Sequence, residues 1–214
     1  MFLNFRNIMR KIIMRKNIKS EIIQTAKKLF NEHGYNGVST QDISDVMKIS
    51  KGNLNYHFNK KEDIIEAIVE EMHSHYLKPP VPSTLEELST FFLNVQNIVK
   101  ENAFYFWHYT QLGQVSEKIK EIQNTVITDE YALLMESFQL LNKNGSLIDE
   151  EYQGQYEQIV KIILLICIYW KPYCMLETHI KTQMNFFDCV WSPIYPLFTE
   201  YGKNQYISIK EAKK

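Results

Sequence analysis

The chain has 214 residues, of which 45% are hydrophobic, enough for a buried core in one large domain or two small ones. Its formal net charge of −1 conceals an asymmetry, because residues 1–61 carry 12 Lys and Arg against 4 Asp and Glu, whereas residues 62–214 carry 12 against 21. A basic first third indicates an anion-binding module, with nucleic acid as the first candidate partner. Three scattered cysteines without a CxxC pair argue against a disulfide framework and predict a reduced, cytoplasmic protein.

No membrane partner is expected from the apolar segments. The longest apolar run covers residues 162–170, far short of the roughly 20 residues that a membrane-spanning helix needs.

Four helices are predicted in the first third of the chain. An apolar stripe with helical spacing runs through residues 17–33, and Gly34 ends it. A second helix follows Ser39 or Thr40, either of which is a suitable N-cap. The fourth helix covers residues 60–76. The apolar side chains expected on the buried side of the second helix are Ile43, Val46 and Met47.

The short third helix, after a turn at residues 48–50, has only one apolar pair, Leu54 and Phe58, four residues apart. We expect this pair to hold the helix against the first two helices. Two helices joined by a tight turn form a helix-turn-helix, whose second helix enters the DNA major groove. The hydrogen-bonding and basic side chains would then face DNA, and Gly52 would let the backbone approach it closely. The candidates found in this way are Lys51, Gly52, Asn53, Asn55, Tyr56, His57 and Lys61, the last at the start of the fourth helix.

Four motifs carry a family resemblance. They are A-x-x-L-F at residues 26–30, G-Y at 34–35, S-T-Q-D-I-S at 39–44 and S-K-G-N-L-N-Y-H-F-x-x-K-E at 50–62. In this order and spacing they resemble the DNA-binding domain of the tetracycline-repressor (TetR/AcrR) family, over about residues 18–72. The resemblance implies DNA contacts by the residues named above except Asn55, and adds Thr40 and Ser50 as further contacts. Asn55 departs from the family, which very often has Tyr there.

The resemblance also implies an all-α fold and a homodimer. A three-helix head with a connecting helix would occupy residues 17–76, and a helical ligand-binding and dimerisation body residues 83–205, divided by the proline cluster at 78–82. Helices are predicted in the body near residues 84–101, 103–112, 116–142, 150–179 and 186–201, with Pro172 expected to kink or break the fourth.

In such proteins the last two long helices usually build the dimer interface. The apolar residues that suit this use are Ile159, Ile162, Ile163, Ile166, Phe187, Val190, Ile194 and Phe198.

Aromatic residues of the body are candidates for an effector pocket. Residues 104–109 are six successive ring-bearing side chains, which must cover every side of a helix. Core packing is the competing interpretation for each of them. The residues proposed to contact a small apolar or aromatic effector are Phe104, Trp107, His108, Phe138, Trp170 and Tyr173.

Three classes of function remain open. The first is a ligand-responsive regulator, most often a repressor, that binds a pseudo-palindromic double-stranded operator. The second is a helix-turn-helix protein without a small-molecule effector, either architectural or governed by a protein partner. An enzyme has little support, since the sequence contains no G-x-S-x-G, H-E-x-x-H or glycine-rich phosphate loop, and no cofactor or metal site is predicted.

Overall fold

The computed structural model describes residues 2–74, 79–176 and 185–212, with residues 2–17 described by their backbone alone. Apart from an isolated antiparallel bridge between Leu147 and Phe198, every element in these ranges is a helix. The prediction of an all-α fold is therefore confirmed. The chain forms two compact units: the first comprises Met1–Tyr76 and Thr110–Lys120, and the second Leu77–Tyr109 and Glu121–Lys214. The first unit thus takes in a segment that the sequence division placed in the body.

The first unit is built on α1, which packs against α2 and α4, while α2 packs against α3. Helix α1 begins at Phe2, well before the predicted start at residue 17, because no Gly or Pro interrupts residues 2–33. Gly34 ends it with a φ of 73°, and its N–H donates to Phe30 O at 2.9 Å. The predicted end of the fourth helix at residue 76 lies outside the described residues. The helices are α1 (Phe2–His33), α2 (Thr40–Met47), α3 (Lys51–His57) and α4 (Lys61–Ser74).

The start of α2 shows which of the two predicted caps is used. Ser39 is the N-cap, since its hydroxyl accepts from the Asp42 N–H and its own N–H donates to the Asp42 carboxylate at 2.7 Å. Thr40 is the first helical residue. The hydroxyl of Ser39 also donates to the carboxylate, and these bonds hold the pKa of Asp42 below its usual range.

The buried side of α2 differs from the prediction. Ile43 and Ser44 are fully buried, whereas Val46 is 59% exposed, so the expectation that Val46 faces the core was wrong. Residues two apart lie on nearly opposite sides of a helix, and the core takes the side of Ser44. Burial of this polar residue is possible because its hydroxyl donates to Gln41 O at 2.9 Å.

The core of the second unit is formed by α5 (Leu85–Glu101), α8 (Glu117–Lys143) and the helices that follow α8. Phe92 meets Trp191 edge to face, with ring centroids 5.4 Å apart, and both side chains are buried. The remaining elements are α5 (Leu85–Glu101), α6 (Ala103–Trp107), α7 (Tyr109–Val115), α8 (Glu117–Lys143), α9 (Gln155–Leu176), α10 (Phe186–Trp191), a 3₁₀ turn (Tyr195–Leu197) and α11 (Glu200–Glu211). Helices α7 and α8 each run partly through residues 110–120, which belong to the first unit.

Two of the predicted body helices are divided. The helix expected over residues 103–112 is interrupted at His108, between α6 and α7. The one expected over 186–201 was wrong, because α10 ends before Pro193 and Pro196, and α11 begins anew after Thr199, whose hydroxyl accepts from Gly202 N–H at 3.0 Å.

Helix α9 runs through Pro172 to Leu176, and its predicted end at residue 179 lies outside the described residues. By length and composition alone, α9 could cross a membrane. One side of it nevertheless belongs to the core of the second unit, through Val160, Ile163 and Cys167.

Part of the predicted dimer interface is buried inside the single chain. Such side chains cannot also meet a second copy, so four residues of that prediction were wrong. The four that belong to the core of the second unit are Ile163, Val190, Ile194 and Phe198.

Candidate DNA-binding site

The turn between α2 and α3 is closed by backbone hydrogen bonds. Lys48 adopts a left-handed conformation, with a φ of 54°, and its N–H donates to Asp45 O at 3.1 Å. The next N–H, that of Ile49, donates to Ser44 O at 3.0 Å. Ser50 then caps α3, accepting from the Asn53 N–H at 3.2 Å. These bonds give the tight connection that a helix-turn-helix requires.

Helix α3 is held by its apolar pair, as the sequence indicated. Leu54 is fully buried and Phe58 is 4% exposed. The Lys19 ammonium of α1 lies 5.4 Å from the centre of the Phe58 ring, within the range of a cation–π contact. The inner side of α3 is therefore committed to the core of the first unit.

The outer side of α3 presents four of the nine predicted contacts together. Four residues of α3 are exposed: Lys51, Gly52, Asn55 and Tyr56. Tyr56 is 63% exposed, although its side chain is aromatic. A Cβ built on Gly52 meets nothing nearer than the Ser50 hydroxyl at 3.9 Å. Packing within the chain therefore does not demand a glycine there, and a close approach to DNA remains its predicted reason.

The other predicted contacts lie at the margins of this surface. Asn53 and His57 are half-buried on α3, and the His57 ring meets Tyr56 edge to face, with centroids 5.3 Å apart. Thr40 is half-buried at the start of α2, and Ser50 is exposed. Their contacts with DNA remain predictions.

Lys61 stands apart from the other candidates. Its ammonium donates to the backbone carbonyls of Tyr35 and Val38, both at 3.0 Å, and lies 4.2 Å from the centre of the Tyr35 ring. Burial lowers the pKa of Lys61, an effect that the nearby Glu62 carboxylate opposes. No sequence pattern indicated these contacts, because they join residues more than 20 positions apart.

The six predicted effector residues differ in their burial. Phe104 and Phe138 are fully buried, while Tyr173 is 44% exposed; Trp107, His108 and Trp170 are half-buried. Trp170 and Tyr173 are neighbours, with ring centroids 6.3 Å apart.

A groove of about 460 Å³ opens elsewhere in the second unit, between α10 and α11. None of the six predicted effector residues lines it. Sequence reasoning missed this groove because its helices are separated by the prolines at 193 and 196, which interrupt the helical pattern. Its lining residues include Trp191, Tyr195 and Tyr206, with Lys210 paired to Asp188 at 3.1 Å.

In the part of the chain that the structure describes, no group of three or more His, Cys, Asp or Glu residues is arranged to hold a metal ion. The three cysteines, all within the described residues, form no disulfide, and Cys167 is buried.

Known proteins share this head. Residues 22–68 match the family model described as bacterial regulatory proteins, tetR family. The HTH-type transcriptional regulator QacR of Staphylococcus aureus is 28% identical over 145 residues, which span 68% of this chain and 70% of QacR. The IcaR negative transcriptional regulator of the biofilm operon icaADBC, from Staphylococcus epidermidis, is 38% identical over 60 residues, 28% of this chain and 32% of IcaR.

The fold has a match over nearly the whole chain. A TetR-family transcriptional regulator from Marinobacter aquaeolei VT8 superimposes with a TM-score of 0.80 at 21% identity, covering 91% of this chain and 97% of that one.

A capped recognition helix on a helical head, in an all-helical chain, defines a helix-turn-helix DNA-binding regulator. The two relatives named above are both transcriptional regulators. Over residues 22–68 the chain carries the DNA-binding domain of the tetR family of bacterial regulatory proteins.

Proposed function

We propose that this chain is a cytoplasmic repressor that binds a pseudo-palindromic operator as a homodimer and is released by a small apolar or aromatic effector. The observation that carries the DNA-binding part is the division of α3. Leu54 and Phe58 are buried, and Lys51, Asn55 and Tyr56 are exposed on the same helix. Lysine neutralises phosphate, and amide and phenol groups donate to phosphate or base edges, so this exposed side suits a major groove.

Further contacts at the margin of α3 complete the proposed surface. Gly52 allows a close approach, Asn53 and His57 supply hydrogen-bonding groups, and Thr40 and Ser50 place hydroxyls at two helix starts, where N–H groups favour phosphate.

The DNA-binding proposal is tested by fluorescence anisotropy against the duplex that flanks the protein's own gene, with scrambled duplex as the control. Selective binding that is lost in a Tyr56→Ala/His57→Ala double variant is the expected result. Tyr152→Ala is the matched control, because Tyr152 is a 51% exposed tyrosine of the second unit. A double variant that binds as tightly as the unaltered protein would contradict the assignment of α3 as the recognition helix.

The homodimer proposal is supported by an exposed apolar stripe on α9. Its members follow a spacing of three and four residues, which places them on one side of the helix. Such a stripe, on a helix whose other side is in the core, fits a second copy of the chain. A dimer with two heads suits an operator whose half-sites lie about 34–36 Å apart, one turn of DNA. The stripe consists of Ile162, Leu165, Tyr169, Tyr173 and Leu176, each at least 43% exposed.

The dimer is tested by light scattering after size-exclusion chromatography. Leu165→Glu, at the centre of the stripe, should convert dimer to monomer at micromolar concentration, because it places a charge in an apolar interface. Tyr152→Glu should stay dimeric. If Leu165→Glu also stays dimeric, the second copy binds elsewhere.

The effector proposal is supported by buried polar atoms of the second unit that have no hydrogen-bond partner among the residues that the structure describes. A bound molecule would supply the missing hydrogen bonds in an otherwise apolar environment. These atoms are Asn102 Oδ1, Trp107 Nε1, Ser137 Oγ and Trp191 Nε1.

A regulator without a small-molecule effector is the second candidate, favoured by the complete burial of Phe104 and Phe138. A thermal-shift screen separates the two, since a ligand that binds only the folded state raises the unfolding temperature. A stabiliser that also weakens DNA binding supports the effector. If a broad library yields no stabiliser and DNA binding is intact, the second candidate is favoured.

A further inference from the structure

The loop that joins α1 to α2, residues 34–38, is tightly folded and largely internal. Tyr35 and Val38 are each 3% exposed, and the Tyr35 ring packs edge to face on Phe30, with centroids 5.4 Å apart. A Cβ on Gly37 would lie 2.4 Å from His33 O, which leaves no room for a side chain. Val38 directly precedes the N-cap of α2, so the position of this loop determines where α2 begins.

Lys61, the first residue of α4, holds this loop at two points. Its ammonium has three N–H groups, and two of them are directed at the Tyr35 and Val38 carbonyls at 3.0 Å. The Tyr35 ring covers the ammonium at 4.2 Å from its centre. Hydrogen bonds from a charged donor are among the stronger ones in proteins, and here the carbonyls belong to buried residues.

A phosphate contact by the same ammonium would conflict with these bonds. To meet a DNA phosphate with more than one N–H, the ammonium would have to leave at least one carbonyl. Lys51, by contrast, is exposed on the outer side of α3, and its ammonium makes no such contact with the described part of the chain. The Lys61 ammonium is therefore already engaged by backbone carbonyls, whereas the Lys51 ammonium is available for a phosphate.

We propose that Lys61 is a positioning residue for DNA binding: it fixes the start of α4 to the α1–α2 loop, and through Val38 to α2, rather than neutralising a phosphate. The inference rests on the DNA-binding function of the head. It separates Lys61 from the contacts of α3 and makes the junction of α4 with the loop a determinant of how α2 and α3 are presented.

Salt dependence separates the two roles. Each phosphate that a protein neutralises adds about 0.9 to the slope of log K against log[salt] for duplex DNA. The probe is a duplex that the unaltered protein selects from a random-sequence library. With Lys61→Met, the affinity should fall by the same factor at every salt concentration, so that the plots are parallel. With Lys51→Met, the slope should fall by about 0.9. Lys60→Met, which changes the exposed neighbouring lysine, is the matched control and should leave affinity and slope unchanged.

Unfolding supplies a second readout that needs no DNA. Lys61→Met should raise the unfolding equilibrium constant of the first unit about tenfold or more, because buried carbonyls lose charge-assisted partners. Lys51→Met and Lys60→Met should not. A slope lowered by about 0.9 in Lys61→Met, or an unchanged unfolding equilibrium, would overturn the proposal.

Acylation of the unaltered protein covers the case in which Lys61→Met does not fold. Mass spectrometry after brief treatment with an N-hydroxysuccinimide ester should show Lys61 reacting slowly in free protein, with little further protection by DNA. Lys51 should react quickly and become protected when DNA binds. Rapid acylation of Lys61 that DNA suppresses would mean a phosphate contact. If no duplex is selected at all, the DNA-binding function fails while the unfolding and free-protein acylation results still decide whether Lys61 holds the loop.

Discussion

Replacing Leu54 by Ala should detach the recognition helix from the head. Leu54 is fully buried, and α3 has only 7 residues, too few for a stable helix by itself. The change removes three buried carbon groups, worth roughly 2.4 kcal/mol at about 0.8 kcal/mol each. The cavity left behind adds to that loss, so we expect the free energy of unfolding of the first unit to fall by about 2–5 kcal/mol.

Native-state hydrogen exchange is the suitable assay, because all three tryptophans lie in the second unit and their fluorescence does not report on the head. The amide of Phe58, which donates to Leu54 O at 3.0 Å, should lose protection by this amount. DNA affinity should fall as well, although Leu54 faces away from DNA.

Val46→Ala is the matched control for this experiment. Val46 is 59% exposed, so its truncation should cost less than about 0.5 kcal/mol. A loss of under about 1 kcal/mol in Leu54→Ala, or equal losses in the two variants, would refute the reasoning that Leu54 anchors α3.

Three further predictions concern the first unit. Because the pKa of Asp42 is lowered in the folded protein, the capping box of α2 should contribute stability above about pH 4. This stability should be lost as the pH falls through the lowered pKa, and Ser39→Ala should flatten the dependence in acid titrations followed by circular dichroism. An unchanged titration in the variant would contradict the contribution of the cap. A double-mutant cycle between Glu66→Ala and Ser116→Ala should give a coupling of about 1–2 kcal/mol in urea unfolding, because the Ser116 hydroxyl donates to the Glu66 carboxylate at 2.6 Å and Ser116 is buried. Additive losses would show that the contact is not formed in solution. Gly52→Ala should stabilise the head by about 0.5–1 kcal/mol in the same unfolding assay while weakening DNA binding, and tighter DNA binding would contradict a close backbone approach at Gly52.

The helix-turn-helix was predictable because its determinants are local. A serine before each helix, an acidic residue three positions after Ser39, and the pair Leu54 and Phe58 four positions apart define α2 and α3 through contacts within a few residues. Pro193 and Pro196 carried a similarly local signal, which the prediction of one long C-terminal helix overlooked.

By itself, the sequence determined that the chain is helical, where α3 begins, and which family its head resembles, since periodicity, capping and motif spacing act between near neighbours. Only the tertiary structure decided that Val46 faces outward, that Ile163 is in the core while Ile162 is exposed, and that the Lys61 ammonium binds the α1–α2 loop. Which side of a helix is buried, and which partner a long charged side chain reaches, depends on residues far away in the chain. Those positions are fixed only when the helices pack together.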